Sequence, residues 1–285
     1  MSGKRQSQTK HGDVINRCVC AKLYRVFTAK ISADTQIKVA DMLFSSFHTL
    51  ANSLLEPFKE KLQDSITHPF TALKPWPNVD QILHEADRAL KVLTVKPYSK
   101  RPYPGLNTND PAKTFTPETR KHVAGLMRIN HTGEICAQAL YFGQAFGTTN
   151  PHNKTLFVHA AQEESDHLAW TAERLESLHA KPSLLNPLWY VGSFGLGALA
   201  SRLSDQISLD FMAETEHQVE NHLNSHLEKL PEQDDTSKAI ITQMKIDEIK
   251  HGQTAILHGA SQLPVFIRHS MATMAKLMKT IAYRI

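Results

Sequence analysis

Glu164-Ser-Asp-His167 and Glu248-Ile-Lys-His251 decide how this chain is read, because Glu-x-x-His stands twice, about eighty residues apart. On an α-helix, residues three apart differ by about 60° in azimuth and ~4.5 Å in height, so a carboxylate and an imidazole at that spacing can hold one metal ion. One copy alone would carry little weight, since the motif arises often by chance on helical surfaces. What matters is where each copy falls in its surroundings.

Working outward, Thr116 can cap a helix, Pro117 is tolerated in a first turn, and Glu118 suits the positive end of a helix dipole. The first helix is predicted to run to about Phe146 and to stop at the turn Gly147-Thr-Thr-Asn-Pro151. A second pattern runs from about Asn153 to His179, ended by Pro182. A third (about Asp205 to Leu230) and a fourth (about Thr236 to Gln262) are joined by the polar turn Pro231 to Asp235. The second hairpin therefore mirrors the first.

Glu134 lies 13 residues before Gly147, and Glu164 lies 12 after His152. At ~1.5 Å per residue these are roughly 20 Å down one helix and 18 Å back along the next, the same level. In the second hairpin Glu216 lies 13 residues before Lys229 and Glu248 lies 12 after Thr236. Four helices thus bring Glu134, Glu164, His167, Glu216, Glu248 and His251 to one layer as candidate metal ligands. That is the ligand set of ferritin-like di-iron and di-manganese carboxylate proteins, and the expected fold is an all-α, ferritin-like four-helix bundle. Spacing does not separate iron from manganese.

Apolar patterning supports burial. Glu216 interrupts the stripe Leu209, Met212, Val219, Leu223, Leu230, and Glu248 interrupts Ile240, Met244, Ala255. Ionised carboxylates pointing into a core need cations, and four of them with two neutral imidazoles would balance two ferrous ions. The plainer alternative is pairing with Lys or Arg at the bundle rim. Both copies of the motif begin with two acids, Glu163-Glu164 and Asp247-Glu248, and the member three before the histidine fits the pattern. Glu163, Asp247 and Asp166 then either orient a ligating histidine or are solvated charges. His131, His159, His217, His222 and His258 are expected to be surface or satisfied core residues.

The 285 residues suffice for one good-sized domain with an appendage. Three cysteines without C-x-x-C spacing support neither a disulfide framework nor a zinc ribbon. A reducing compartment is the expectation. A net charge of +4 fits an anionic surface only weakly, and no clustered basic and aromatic stripe suggests nucleic acid. No apolar run reaches ~18 residues and no secretory core opens the chain, so the reading is of a protein that neither spans a membrane nor is exported.

Residues 1–75 read as an extension without assignable chemistry. It has a basic opening (Met1 to Asn16), which resembles an organellar transit peptide as well as a simple extension, and an amphipathic run, Met42 to Leu62. Residues 76–115 read as a short helix (Val79 to Leu93) and a Pro-, Gly- and Asn-rich linker, and 116–285 as the main domain. Within it Leu184 to Ala200 is apolar nearly all round, either a buried crossover helix or an interfacial segment admitting a lipid-like substrate. The C-terminal segment places Ile267, Met271, Met274, Met278 and Ile281 on one helical face, with four Lys or Arg and no acid from Arg268 to Arg284. Such a helix suits a membrane surface or packing on the bundle.

The runs Leu126-Met-Arg-Ile-Asn-His-Thr-Gly-Glu-Ile-Cys-Ala-Gln-Ala-Leu140, Glu163-Glu-Ser-Asp-His-Leu168, Ser183-Leu-Leu-Asn-Pro-Leu-Trp-Tyr190 and Asp247-Glu-Ile-Lys-His251 resemble the demethoxyubiquinol hydroxylases of ubiquinone biosynthesis, bacterial branch. The resemblance covers about Trp76 to Ile285, and residues 1–75 fall outside it. It implies a di-iron monooxygenase acting on the ring of a polyprenylated methoxy-methyl-benzoquinol, with O2 as co-substrate and a reduced nicotinamide as electron source. It further implies that Glu164 and Glu248 bridge both irons, with Glu134 and His167 on one and Glu216 and His251 on the other. By the same resemblance the protein sits on the cytoplasmic face of the bacterial inner membrane, in a ubiquinone-biosynthesis complex. No Gly-rich dinucleotide fingerprint follows a strand, so no Rossmann domain is expected. The competing reading is an iron-storage or iron-handling protein, against which the apolar crossover and the basic tail argue.

Overall fold

The computed structural model describes residues 78–106, 110, 112 and 114–285. The basic opening and the Met42–Leu62 run lie outside the described residues. Among those described there are seven helices and no strand: α1 (Val79–Thr94), α2 (Pro117–Gly147), α3 (Pro151–Ser177), α4 (Asn186–Leu203), α5 (Asp205–Lys229), α6 (Asp235–Leu257) and α7 (Val265–Ala282). Helices α2 and α3 form one antiparallel hairpin, α5 and α6 the other, and α4 crosses between them, the expected ferritin-like helical bundle.

The helix ends are set by local chemistry. Thr116 caps α2, its side chain accepting from the Thr119 N–H at 3.2 Å. Helix α3 starts two residues earlier than the sequence suggested, because the Asn150 side chain accepts from the backbone of His152 and Asn153 and Pro151 takes the first turn. Helix α6 stops at Leu257, short of Gln262: the chain turns off at Gly259, whose φ of 100° favours glycine, and the Ala260 N–H closes on the Ala255 carbonyl. Asn186 and Pro187 begin α4, since a first-turn proline loses no hydrogen bond.

Two apolar layers stack along the bundle. One holds Val123, Met127, Trp170, Leu175, Leu223, Ile240, Ile241 and Met244; the other holds Leu140, Tyr141, Phe157, Ala161, Leu209, Met212 and Ala255. Each layer draws on all four helices. Glu134, Glu164, Glu216 and Glu248 fall between them in sequence on every helix, so the bundle carries a polar layer between two dry ones.

The crossover lies hard against α2. A Cβ at Gly143 would collide with the Phe194 carbonyl oxygen, and one at Gly197 with the Leu140 carbonyl oxygen, so both glycines permit backbone to meet backbone. Trp189, Tyr190 and Ala200 are buried, whereas Leu188, Val191, Leu199 and Leu203 form an exposed apolar stripe. Helix α7 buries Ile267, Met278 and Ala282, and the Tyr283 ring covers Gly125 of α2. Among the described residues no helix is long and apolar enough to cross a membrane.

Candidate metal centre

All six side chains singled out from spacing are buried: Glu134, Glu164, His167, Glu216, Glu248 and His251 are each 6% exposed or less. They converge as two groups, Glu134, Glu164, His167 and Glu248, and Glu164, Glu216, Glu248 and His251, with the donor atoms of each group within 4.8 Å of one another. Glu164 and Glu248 belong to both groups. The three-residue spacing within α3 and α6 aims each imidazole at its own carboxylate, and the helix pairing brings the others to the same height.

The two imidazoles are oriented alike. Nδ1 of His167 stands 2.9 Å from Glu164, 3.2 Å from Glu248 and 3.5 Å from Glu134. Nδ1 of His251 stands 3.2 Å from Glu164, 3.4 Å from Glu248 and 3.7 Å from Glu216. Each Nε2 points away and donates to a carboxylate of the opposite hairpin, His167 to Asp247 at 3.1 Å and His251 to Glu163 at 2.7 Å. The acid that precedes each inward glutamate therefore serves the other motif's histidine. Glu163 and Asp247 are not merely solvated, and an outer hydrogen bond of this kind fixes which ring nitrogen faces inward.

The electrostatics of the cluster follow from its burial and its crowded carboxylates. Burial and the negative charges of Glu164 and Glu248 hold the Glu134 carboxyl well above its ordinary pKa; burial and Glu248 do the same for Glu216. Burial opposes charge on the two histidines, yet the surrounding carboxylates outweigh it and raise both pKa values far above the ordinary imidazole range. The cluster thus favours added positive charge at its centre. With neutral imidazoles and four ionised carboxylates the layer would carry four negative charges, which two divalent ions neutralise. Glu164 Oε1, Glu216 Oε2 and His251 Nδ1 are also buried without a hydrogen-bonded partner among the described residues, so inward lone pairs are left over. The residues present fit a pair of metal ions.

Two contributors to the site are not legible in the Glu-x-x-His sequence pattern. The Tyr141 hydroxyl donates to Glu216, and Tyr141 follows Glu134 by seven residues, two helical turns along one face, a signal that was there to be used. Arg101, in the linker before α2, pairs with Asp166 at 2.8 Å and Asp247 at 2.7 Å while its guanidinium lies over the Trp170 ring. No periodicity announces a loop arginine. His131, expected to be a surface or satisfied core residue, is buried with Nδ1 unpartnered among the described residues, and burial lowers its pKa to about 4.

A sequence profile described as "Ubiquinone biosynthesis protein COQ7" matches residues 121–282, the stretch that carries all six inward residues. The chain belongs to the COQ7 family. Among similar proteins, the 3-demethoxyubiquinol 3-hydroxylase of Xanthomonas oryzae pv. oryzae is 54% identical over 207 residues, 73% of this chain and 94% of its own. That of Ralstonia pickettii is 50% identical over 216 residues, 73% of this chain and all of its own. That of Paraburkholderia xenovorans is 49% identical over 210 residues, 73% of this chain and 99% of its own. Membership in the COQ7 family agrees with the resemblance seen in the sequence, and these relatives lend no support to an iron-storage role.

Proposed function

We propose that this chain is a di-iron monooxygenase that hydroxylates the ring of a polyprenylated methoxy-methyl-benzoquinol in ubiquinone biosynthesis. O2 would be the co-substrate and a reduced nicotinamide the electron source. The observation that carries the reading is the paired arrangement of one inward Nδ1 with three carboxylates, twice over, in a chain about half identical to proteins named 3-demethoxyubiquinol 3-hydroxylase. Glu134 and His167 would hold one iron and Glu216 and His251 the other, with Glu164 and Glu248 shared. Residues 116–285 would be the hydroxylase domain and 76–115 a short helix and linker.

When bound, iron supplies the activation of dioxygen, for which no side chain here has the redox chemistry. The chain's own residues do the positioning. Asp247 and Glu163 hold the Nε2 protons and so keep each Nδ1 lone pair directed inward. Tyr141 fixes the Glu216 carboxylate, and Arg101 holds Asp247 in place across the linker. The apolar layers on either side keep bulk water from the centre, which protects a reactive oxidant and strengthens every charge interaction within.

A membrane-bound quinol substrate agrees with the exposed stripe Leu188, Val191, Leu199, Leu203 and with the basic α7. Both support peripheral contact with a membrane; by the family resemblance that membrane would be the bacterial inner membrane, at its cytoplasmic face, in company with other enzymes of the pathway. The deciding measurement is metal content by mass spectrometry on the full chain, beside Glu164→Ala and Glu248→Ala, followed by a quinol hydroxylation assay. About two irons per chain, one for each ligand group, lost in both variants, is the expected result. Metal-free protein that ferrous iron cannot reconstitute would remove the hydroxylase reading.

A further inference from the structure

On the face of α5 that turns away from Glu216, helices α2, α5 and α7 enclose an open groove of about 870 Å³. Lys229, Arg268, Lys276, Lys279 and Arg284 line it, against a single acid, Glu214. Glu214 accepts from Gln218 and pairs with no cation, and none of the five cations makes an ion pair among the described residues. Arg268 and Lys279 are half-buried, and the Arg268 Nε is buried with no hydrogen-bond partner among the described residues. Burial, then repulsion by Lys229, lowers the Lys279 pKa.

Cations taken partly out of water without counter-ions are costly unless an anion joins them. A concave wall also concentrates positive potential. Arg268 and Lys279 lie 11 residues apart on α7, roughly 16 Å along its axis, and Ala272 and Ala275 leave the space between them open. The groove is therefore longer than one inorganic anion and charged at both ends. Multiple ammonium and guanidinium donors converging on one volume suit phosphate oxygens.

We propose that this groove binds a phosphate-bearing organic ligand, held by Arg268, Lys276 and Lys279. The site is separate from the carboxylate layer and does not rest on the metal reading.

The test titrates the full-length protein calorimetrically with inorganic pyrophosphate, and sediments it with vesicles of phosphatidylglycerol or of phosphatidylcholine. Lys279→Gln and Arg268→Gln should each weaken binding about 10-fold, the worth of one charge-assisted hydrogen bond. The exposed Lys276→Gln should act in the same direction without touching packing. Lys154→Gln, an exposed lysine on α3, should leave binding unchanged. Weakened pyrophosphate binding identifies a soluble phosphate ligand, and weakening confined to phosphatidylglycerol vesicles identifies a lipid headgroup. No binding to either probe, binding indifferent to the three groove variants, or an equal loss in Lys154→Gln would overturn the proposal. Metal content read on the same samples keeps this outcome apart from any failure at the carboxylate layer.

Discussion

Asp247 accepts a hydrogen bond from Nε2 of His167 across the bundle, at 3.1 Å. Glu163 accepts the reciprocal one from His251 at 2.7 Å, so each hairpin orients the imidazole of the other. The two motifs are thereby coupled: neither hairpin alone presents a fully oriented site.

This coupling predicts that Asp247→Asn weakens metal retention without unfolding the bundle. Outer partners of ligating histidines are commonly worth about 10–100-fold in metal affinity. Chelator competition on the iron-loaded protein should show a loss in that range, and Arg101→Gln, which frees Asp247, should show the same effect more weakly. Unchanged retention in Asp247→Asn would mean that the Nε2 bond has no part in holding the ring.

How much of this could be read in the chain differs by element. The levels of Glu134, Glu164, Glu216 and Glu248 followed from helix rise alone, because a hairpin of straight helices with short turns converts residue counts into height. Helix periodicity alone does not say which acid of each pair faces inward, since Glu163 and Glu164 both reach a histidine within one turn; the repeated ligand pattern selects Glu164 and Glu248. Cross-bundle geometry places the other acid of each pair, and no single helix contains that information. Arg101 and the cationic groove draw on segments distant in sequence, Arg101 by 65 residues from Asp166, so periodicity cannot announce them. The end of α6 was misplaced for a local reason, the left-handed turn at Gly259.

The close contact of α2 with α4 predicts a steric phenotype. Gly197→Val would drive a branched side chain into the α2 backbone at Leu140, where a carbonyl cannot give way as a side chain could. Overpacking typically costs about 1–3 kcal/mol, and a backbone obstacle belongs at the upper end. Urea denaturation should report that loss, whereas Gly195→Ala, whose added Cβ meets nothing within 4 Å, should be near neutral or stabilising. Equal stability of the two variants would contradict the packing described.

Arg174 and Asp234 form an ion pair at 2.8 Å with both side chains fully buried, joining the end of α3 to the turn before α6. Asp234 also caps α6, accepting from the Ser237 N–H at 3.0 Å. Arg174→Met should cost about 3–5 kcal/mol, because it leaves a buried carboxylate with no cation. Adding Asp234→Asn, which removes the stranded charge and keeps the cap acceptor, should recover part of that loss. A double variant less stable than the single one, by chemical denaturation, would refute this account.

His131 offers a prediction in pH. Its folded pKa is lowered to about 4 by burial, below the ordinary imidazole value of about 6.5. Well above pH 6.5 the ring is neutral whether the chain is folded or not, so it contributes no pH dependence there. As the pH falls from 6.5 towards 4, the unfolded chain takes a proton that the folded chain refuses, and stability is lost. Over the 1.5 units from pH 6.5 to 5 the loss approaches ~2 kcal/mol, at about 1.36 kcal/mol per unit. His131→Leu lacks the titrating ring, so its stability relative to wild type should rise by about that amount between pH 7 and pH 5. Taking the difference between the two proteins at each pH cancels the titration of the other carboxylates and histidines, leaving the His131 contribution. A difference that stays constant across that range would show that His131 is protonated, or readily solvated, within the folded bundle.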